Sequence, residues 1–281
     1  MLGKLIKHEW RATYKLMAAI NLALVLLTLG GCCILNTDIF EQEDVFLLAV
    51  FLVTLYCLSL AAFGMATVFY LYMRFYRNLF GKEGYFMHTL PVTPMQLLHS
   101  KLIVGYAWTC LNSVLVSLSI LSLITAAFFH YAEKYGVDSL LKELYGTGMA
   151  TLSHGDFMDS FSQKFGYTVG QFFFQFLLLH FVASFASLLT GYVSILLGQL
   201  VEKYKRMASV GFYIALYVIN QIVCSILMII PTMQKLDGDM DEFLYSYCKD
   251  VIHFGIISQI LMGALFYAAA VFLMRRRVNL D

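Results

Sequence analysis

Charge is scarce in this chain. Only 13% of its 281 residues are Asp, Glu, Lys or Arg, against roughly 25% in ordinary soluble domains. With a mean hydropathy of +0.74, that scarcity excludes a water-soluble fold and points to an all-α polytopic membrane protein. Apolar runs long enough to cross a bilayer as helix, about 20 residues each, fall at 16–36, 45–72, 102–129, 169–200, 208–230 and 251–273. Six spans leave little chain for a separate soluble domain, so 1–281 is read as one transmembrane unit.

Other absences narrow the chemistry. No Asp, Glu, Lys or Arg lies inside an expected span, which argues against ion-coupled carriers, proton relays and voltage sensors, because these place ionisable groups at membrane depth. There is no GxxxxGK[ST] loop, HExxH, GxSxG or intramembrane carboxylate pair. Nucleotide hydrolysis and membrane proteolysis therefore lack their working parts. The six cysteines include no CxxC spacing, so neither a metal nor a redox site is indicated. "LGGC" at Leu29–Cys32 resembles a lipoprotein cleavage box, but its apolar run continues past the cysteine and five more spans follow. "DGDMDE" at 237–242 lacks the spacing and closing Glu of a calcium loop and reads as plain loop, in a segment opening at Pro231.

The few charges are distributed unevenly. Of 19 Lys and Arg, 14 fall before the first span, in the second and fourth connections, or at the C-terminus. The other five share the remaining loops with 14 of the 18 acids. Basic residues near span ends stay in the cytoplasm, so both termini are expected there. In residues 1–15, Leu2, Leu5, Ile6, Trp10 and Tyr14 share a helical face, with Lys4, Lys7, Arg11 and Lys15 mostly on another. That pattern predicts an amphipathic interfacial helix. The 130–168 connection carries mixed charge and, with Gly136, Gly146, Gly148 and Gly155, several glycines, and predicts a small external cap.

Two features of the fourth span stand out. Ala183, Ser187 and Gly191 recur every four residues, forming a small-residue face suited to close helix packing, either as a subunit seam or as an internal contact. In "QFFFQFLLLH", Gln171, Gln175 and His180 read either as substrate-lining groups or as internally bonded polar groups among lipid-facing aromatics.

Only three prolines occur, and Pro91 and Pro94 sit together in "EGYFMHTLPVTPMQLLHSKL". Thr93 as N-cap, Pro94 at the first helical position and Gln96 three residues after Thr93 form a capping box, with Val92 and Leu97 at the staple positions. The third long helix is therefore expected to start about two turns before the lipid. Pro91 disfavours helix at Leu90, so "KEGYFMHTL" becomes a separately oriented knob. Its Tyr85, Phe86, Met87 and Leu90 would form an apolar contact surface or a re-entrant turn buried under the bundle.

These stretches, with "MLGKLIKHEWRATYK" at the start and "RRRVNL" near the end, resemble the permease subunits of type-2 ATP-binding-cassette (ABC) transporters, particularly compact six-span bacterial ones. The resemblance implies that residues 1–15 are the interfacial elbow helix and that the second loop holds a cytosolic coupling helix. The ATPase contact would comprise Gly84, Tyr85, Phe86, Met87, His88, Thr89, Leu90 and Pro91. Glu202, Lys203, Tyr204, Lys205 and Arg206 would form a second, smaller one. It further implies a chain without catalytic, cofactor or metal site. ATP and Mg would belong to a partner ABC ATPase, and a second permease copy or paralogue would complete the assembly. The long third loop departs from the family, many members of which elaborate the connection between the last two spans. The rival expectation is a membrane immunity or sensor protein that binds without transporting.

Overall fold

The computed structural model describes residues 1–35, 46–81, 92–134, 168–233 and 240–276. Among them every regular element is α-helix: α1 (Leu2–Leu35), α2 (Phe46–Phe80), α3 (Pro94–Lys134), α4 (Val169–Gly198), α5 (Lys205–Met233) and α6 (Met240–Arg276). All six are long and apolar enough to cross a membrane, which makes this a multi-pass membrane protein. Backbone amides have no water to bond in hydrocarbon, and a helix satisfies them within one segment.

Several boundaries differ from the sequence reading. α1 runs unbroken for 34 residues, about 51 Å at 1.5 Å per residue, with no interruption between the expected interfacial segment 1–15 and the span beginning at 16. Nothing in "TYKLMAAI" breaks a helix, since it holds neither Pro nor Gly. α5 passes through Pro231 to Met233 rather than ending where the loop was expected to open. A proline in the last turn forfeits one backbone bond, which is tolerable at a fraying end. α6 begins at Met240 and takes up the second half of "DGDMDE". Likewise α3 continues to Lys134, several residues into the expected external loop. Its start agrees: the Thr93 hydroxyl accepts the Gln96 N–H (3.3 Å) and the Gln96 side-chain Oε1 accepts the Thr93 N–H (3.4 Å).

Two compact units emerge. One comprises the described parts of Met1–Ile6, Tyr72–Tyr106 and Asp156–Asp281. Its core joins Phe75 and Leu79 of α2, Leu97, Leu98 and Val104 of α3, Leu188, Leu189, Tyr192 and Val193 of α4, and Ala270 and Met274 of α6, all buried. Phe75 stacks on Tyr192 with ring centroids 4.1 Å apart, and the Tyr192 hydroxyl donates to the Lys101 carbonyl. Gly105 gives Tyr192 this approach, because a Cβ there would lie 2.8 Å from its hydroxyl. Lys101, counted as a loop residue by the sequence reading, is buried in α3 at 4% exposure.

The other unit comprises Lys7–Leu71 and the described part of Ala107–Gly155, and is held by polar links between α1 and α3. Trp108 Nε1 donates to the Thr13 hydroxyl (3.0 Å), Asn112 Nδ2 to Asn21 Oδ1 (3.2 Å), and Thr28 and Ser119 share a hydroxyl bond (2.6 Å). Steps of seven or eight residues along α1 keep these links on one stripe, which includes the buried Glu9, Thr13, Met17, Asn21 and Leu24. Lys4, Lys7, Arg11 and Lys15 are all exposed, while Trp10, 41% exposed, stacks on Trp108 at 4.7 Å. Beyond Lys15 the inward face of α1, with Asn21 and Thr28, is thus more polar than its outward one of Leu16, Leu22, Val25, Leu26 and Leu29, the reverse of a helix in water.

Candidate functional site

The expected ATPase contact, Gly84 to Pro91, lies outside the described residues; its flanks do not. On one side α2 ends in a buried Leu79 and a half-buried Phe80, with Gly81 N–H bonded to the Arg77 carbonyl. On the other, the Thr93 capping box starts α3, whose first turns bury Leu97 and Leu98. Both flanks belong to the same compact unit.

The second expected contact, Glu202 to Arg206, is ordered and exposed at every position. It caps a tight reversal between α4 and α5. Gln199 N–H closes α4 on the carbonyls of Ile195 and Leu196, and Gly198 lies against the backbone and side chain of Ser209, where any Cβ would collide. Tyr204 turns the chain with φ +58°, the left-handed region that bulky residues rarely occupy. Its carbonyl accepts the Ala208 N–H to open α5, and its ring is 81% exposed. Such strain costs on the order of 1–3 kcal/mol and persists only where the surroundings impose it.

Arg206 ties this turn to α2. Its guanidinium lies over the Tyr76 ring, 5.7 Å from the centroid, within the range of a cation–π contact. Tyr76 in turn is near Phe80, with centroids 6.3 Å apart. The α4–α5 turn therefore sits beside the last turn of α2, directly before the 82–91 segment. Sequence reasoning missed Tyr76, which carries no local signal; only the fold brings it to Arg206.

The small-residue ladder of α4 resolves into different environments. Gly191 is buried against the Tyr72 ring, which occupies the position a Cβ would take, and the Tyr72 hydroxyl donates to the Ser187 carbonyl (2.8 Å). Tyr72 also meets Tyr192 and Tyr213 edge-on. At Gly191 the ladder is thus an internal contact, whereas Ala183 is half-buried and Ser187 exposed.

The polar groups of "QFFFQFLLLH" also part company. Gln171 completes a second capping box, its side chain accepting Thr168 N–H (3.1 Å) while its own N–H reaches the Thr168 hydroxyl (3.3 Å). The Thr-x-x-Gln signal was present in the sequence. Phe174 and Phe176 are exposed, as lipid-facing aromatics would be. Internal bonding is absent for two atoms: Gln175 Oε1 and His180 Nε2 are buried without a hydrogen-bond partner among the described residues.

No group of three or more His, Cys, Asp or Glu that could hold a metal occurs among the described residues. Compared with protein-family models, curated proteins and solved structures, the chain matches none.

Proposed function

We propose that this chain is the membrane-spanning permease subunit of an ATP-driven ABC exporter of the type-2 kind, with ATP and Mg held by a separate ABC ATPase and a second permease copy or paralogue completing the pathway. The observation that best supports this reading is the Arg206–Tyr76 contact. It joins the exposed basic α4–α5 turn to the helix end from which the 82–91 segment departs, so two candidate ATPase contacts spring from one packed unit. The distribution of basic residues favours a cytoplasmic position for these two connections and for both termini. In this reading the first turns of α1 form the interfacial elbow and 84–91 the coupling helix. ATP binding draws two ATPase subunits together, the coupling segments follow, and α2 and α3, anchored through Phe75, Leu79, Leu97 and Leu98, carry the displacement along the membrane.

The test is made at Leu90. An aspartate there would lie in a desolvated contact with its charge unpaired, at a cost of about 3–5 kcal/mol. Leu90→Asp should therefore insert normally in the membrane but lose the copurifying ATPase and transport-linked hydrolysis, while Pro91→Ala should be milder. Normal assembly and transport by Leu90→Asp would remove the segment from the coupling role. Failure to accumulate in the membrane would favour a buried re-entrant turn. A wild-type chain that retains no ATPase under mild extraction would leave the immunity or sensor reading in possession.

A further inference from the structure

Lys7, Arg11 and Lys15 recur every fourth residue near the start of α1, and side chains four apart stand one above the other on a helix. All three are exposed, and none makes an ion pair or hydrogen bond among the described residues. The one acid of α1, Glu9, is buried on the packed face. It stands two residues from both Lys7 and Arg11, a spacing at which helical side chains do not meet. We infer that this row of cations binds the phosphates of anionic phospholipid headgroups. The inference is independent of any ATPase partner.

The packing of α1 fixes where the row points. Trp108 Nε1 donates to the Thr13 hydroxyl, and Trp10 stacks on Trp108. Thr13 is two residues from Arg11 and from Lys15, about 160° around the helix from each. Holding Thr13 inward therefore holds both cations outward. The unbroken helix also fixes their height. Residues 16–35 of α1 are about 30 Å long, the thickness of the hydrocarbon core, and carry no Asp, Glu, Lys or Arg. Lys15 then stands at the edge of that core, Arg11 about 6 Å and Lys7 about 12 Å beyond it. A headgroup layer is roughly 5–8 Å deep, so Arg11 lies within it and Lys7 just above. Helical side chains lean toward the N-terminus, which carries the Lys15 ammonium up into the same layer.

The aromatic side chains agree on the level. Trp10, 41% exposed, and Tyr14, 55% exposed, border the row, and half-exposed Trp and Tyr favour the headgroup level, where an apolar ring and a polar tip are both accommodated. Charge complementarity then names the occupant. A phosphodiester offers anionic oxygens that the Arg11 guanidinium can take in pairs and the lysines as point charges. Lipid surrounds a helix at this depth at all times, so mass action favours it over a dissolved anion. An acidic protein surface would have to displace headgroups before reaching Arg11 and Lys15.

The protein's own fluorescence tests this, because its two tryptophans are Trp10 and Trp108, both beside the row. The full chain is placed in phosphatidylcholine nanodiscs with a trace of pyrene-acyl phosphatidylglycerol or, separately, pyrene-acyl phosphatidylcholine, and energy transfer from tryptophan to pyrene gives the relative occupancy of the two. Wild type should prefer phosphatidylglycerol, by roughly fivefold for each cation at headgroup level. Arg11→Gln and Lys15→Gln should each lower the preference by about that factor, Lys7→Gln by less, and the triple variant should abolish it. Ala12→Gln, also exposed on α1, should leave it unchanged. Salt at about 1 M, where charges are screened beyond about 3 Å, should remove it in wild type. No preference in wild type overturns the inference, as does preference surviving in the triple variant or in high salt, or an equal loss in Ala12→Gln. Should the triple variant not accumulate, the single variants decide the matter. Absence of lipid preference together with loss of a copurifying protein from Arg11→Gln would assign the row to a protein surface and likewise overturn it.

Discussion

At the scale of single residues, close contacts in this protein depend on which side chain is missing. Gly191 lets the Tyr72 ring lie flat against α4, and the Tyr72 hydroxyl finds the Ser187 carbonyl there. Gly191→Ala should therefore destabilise the detergent-solubilised protein by about 1–3 kcal/mol, the usual cost of overpacking a fitted contact. Combining it with Tyr72→Leu should recover part of the loss, because the ring is what the new methyl meets. A thermal-unfolding series of the wild type, both single variants and the double variant measures the coupling. Additive losses would mean the two residues do not share this contact. Tyr204 is the complementary case, a bulky residue at positive φ in the short turn between α4 and α5.

At the scale of elements, α1 and α3 are held together by polar groups rather than by a greasy seam. In lipid an apolar side chain gains little by facing another helix instead of a lipid tail, so packing and interhelical hydrogen bonds decide association. The buried Asn21–Asn112 pair is the clearest example. Asn21→Leu should cost about 0.6–2 kcal/mol, the range of such bonds in membranes, and Asn112→Leu a similar amount. The double variant should lose less than the sum, since neither amide is then left without its partner. Unfolding in a graded denaturing detergent checks this, with strict additivity as the contrary result.

At the scale of the whole molecule, the asymmetry of charge sets the expected orientation. Both termini, the 82–91 segment and the α4–α5 turn should face the cytoplasm. In a background lacking the six native cysteines, new cysteines at Lys82 and Lys205 should resist an impermeant maleimide in intact cells, while those at Gly148 and Asp239 should react. Labelling of Lys82→Cys from outside would invert the arrangement and, with it, the proposed partnership with a cytoplasmic ATPase.

What the sequence determined alone was whatever depends on a short window or on a sum over one. Six spans emerge from apolar content over about 20 residues, and the start of α3 from Thr93, Pro94 and Gln96, which interact within a single turn. Legibility failed where a face had to be chosen. In water the alternation of polar and apolar positions marks the inward side of a helix, but here apolar residues occupy both sides. Phe75 is buried and Phe174 exposed, Ser194 is buried and Ser187 exposed, and no local pattern separates them. Hence the inward polar stripe of α1, the pairing of Arg206 with Tyr76 and the seating of Tyr72 on Gly191 were decided by tertiary packing. Each depends on what a second or third helix brings to within a few ångströms, and that distance is not written along any one of them.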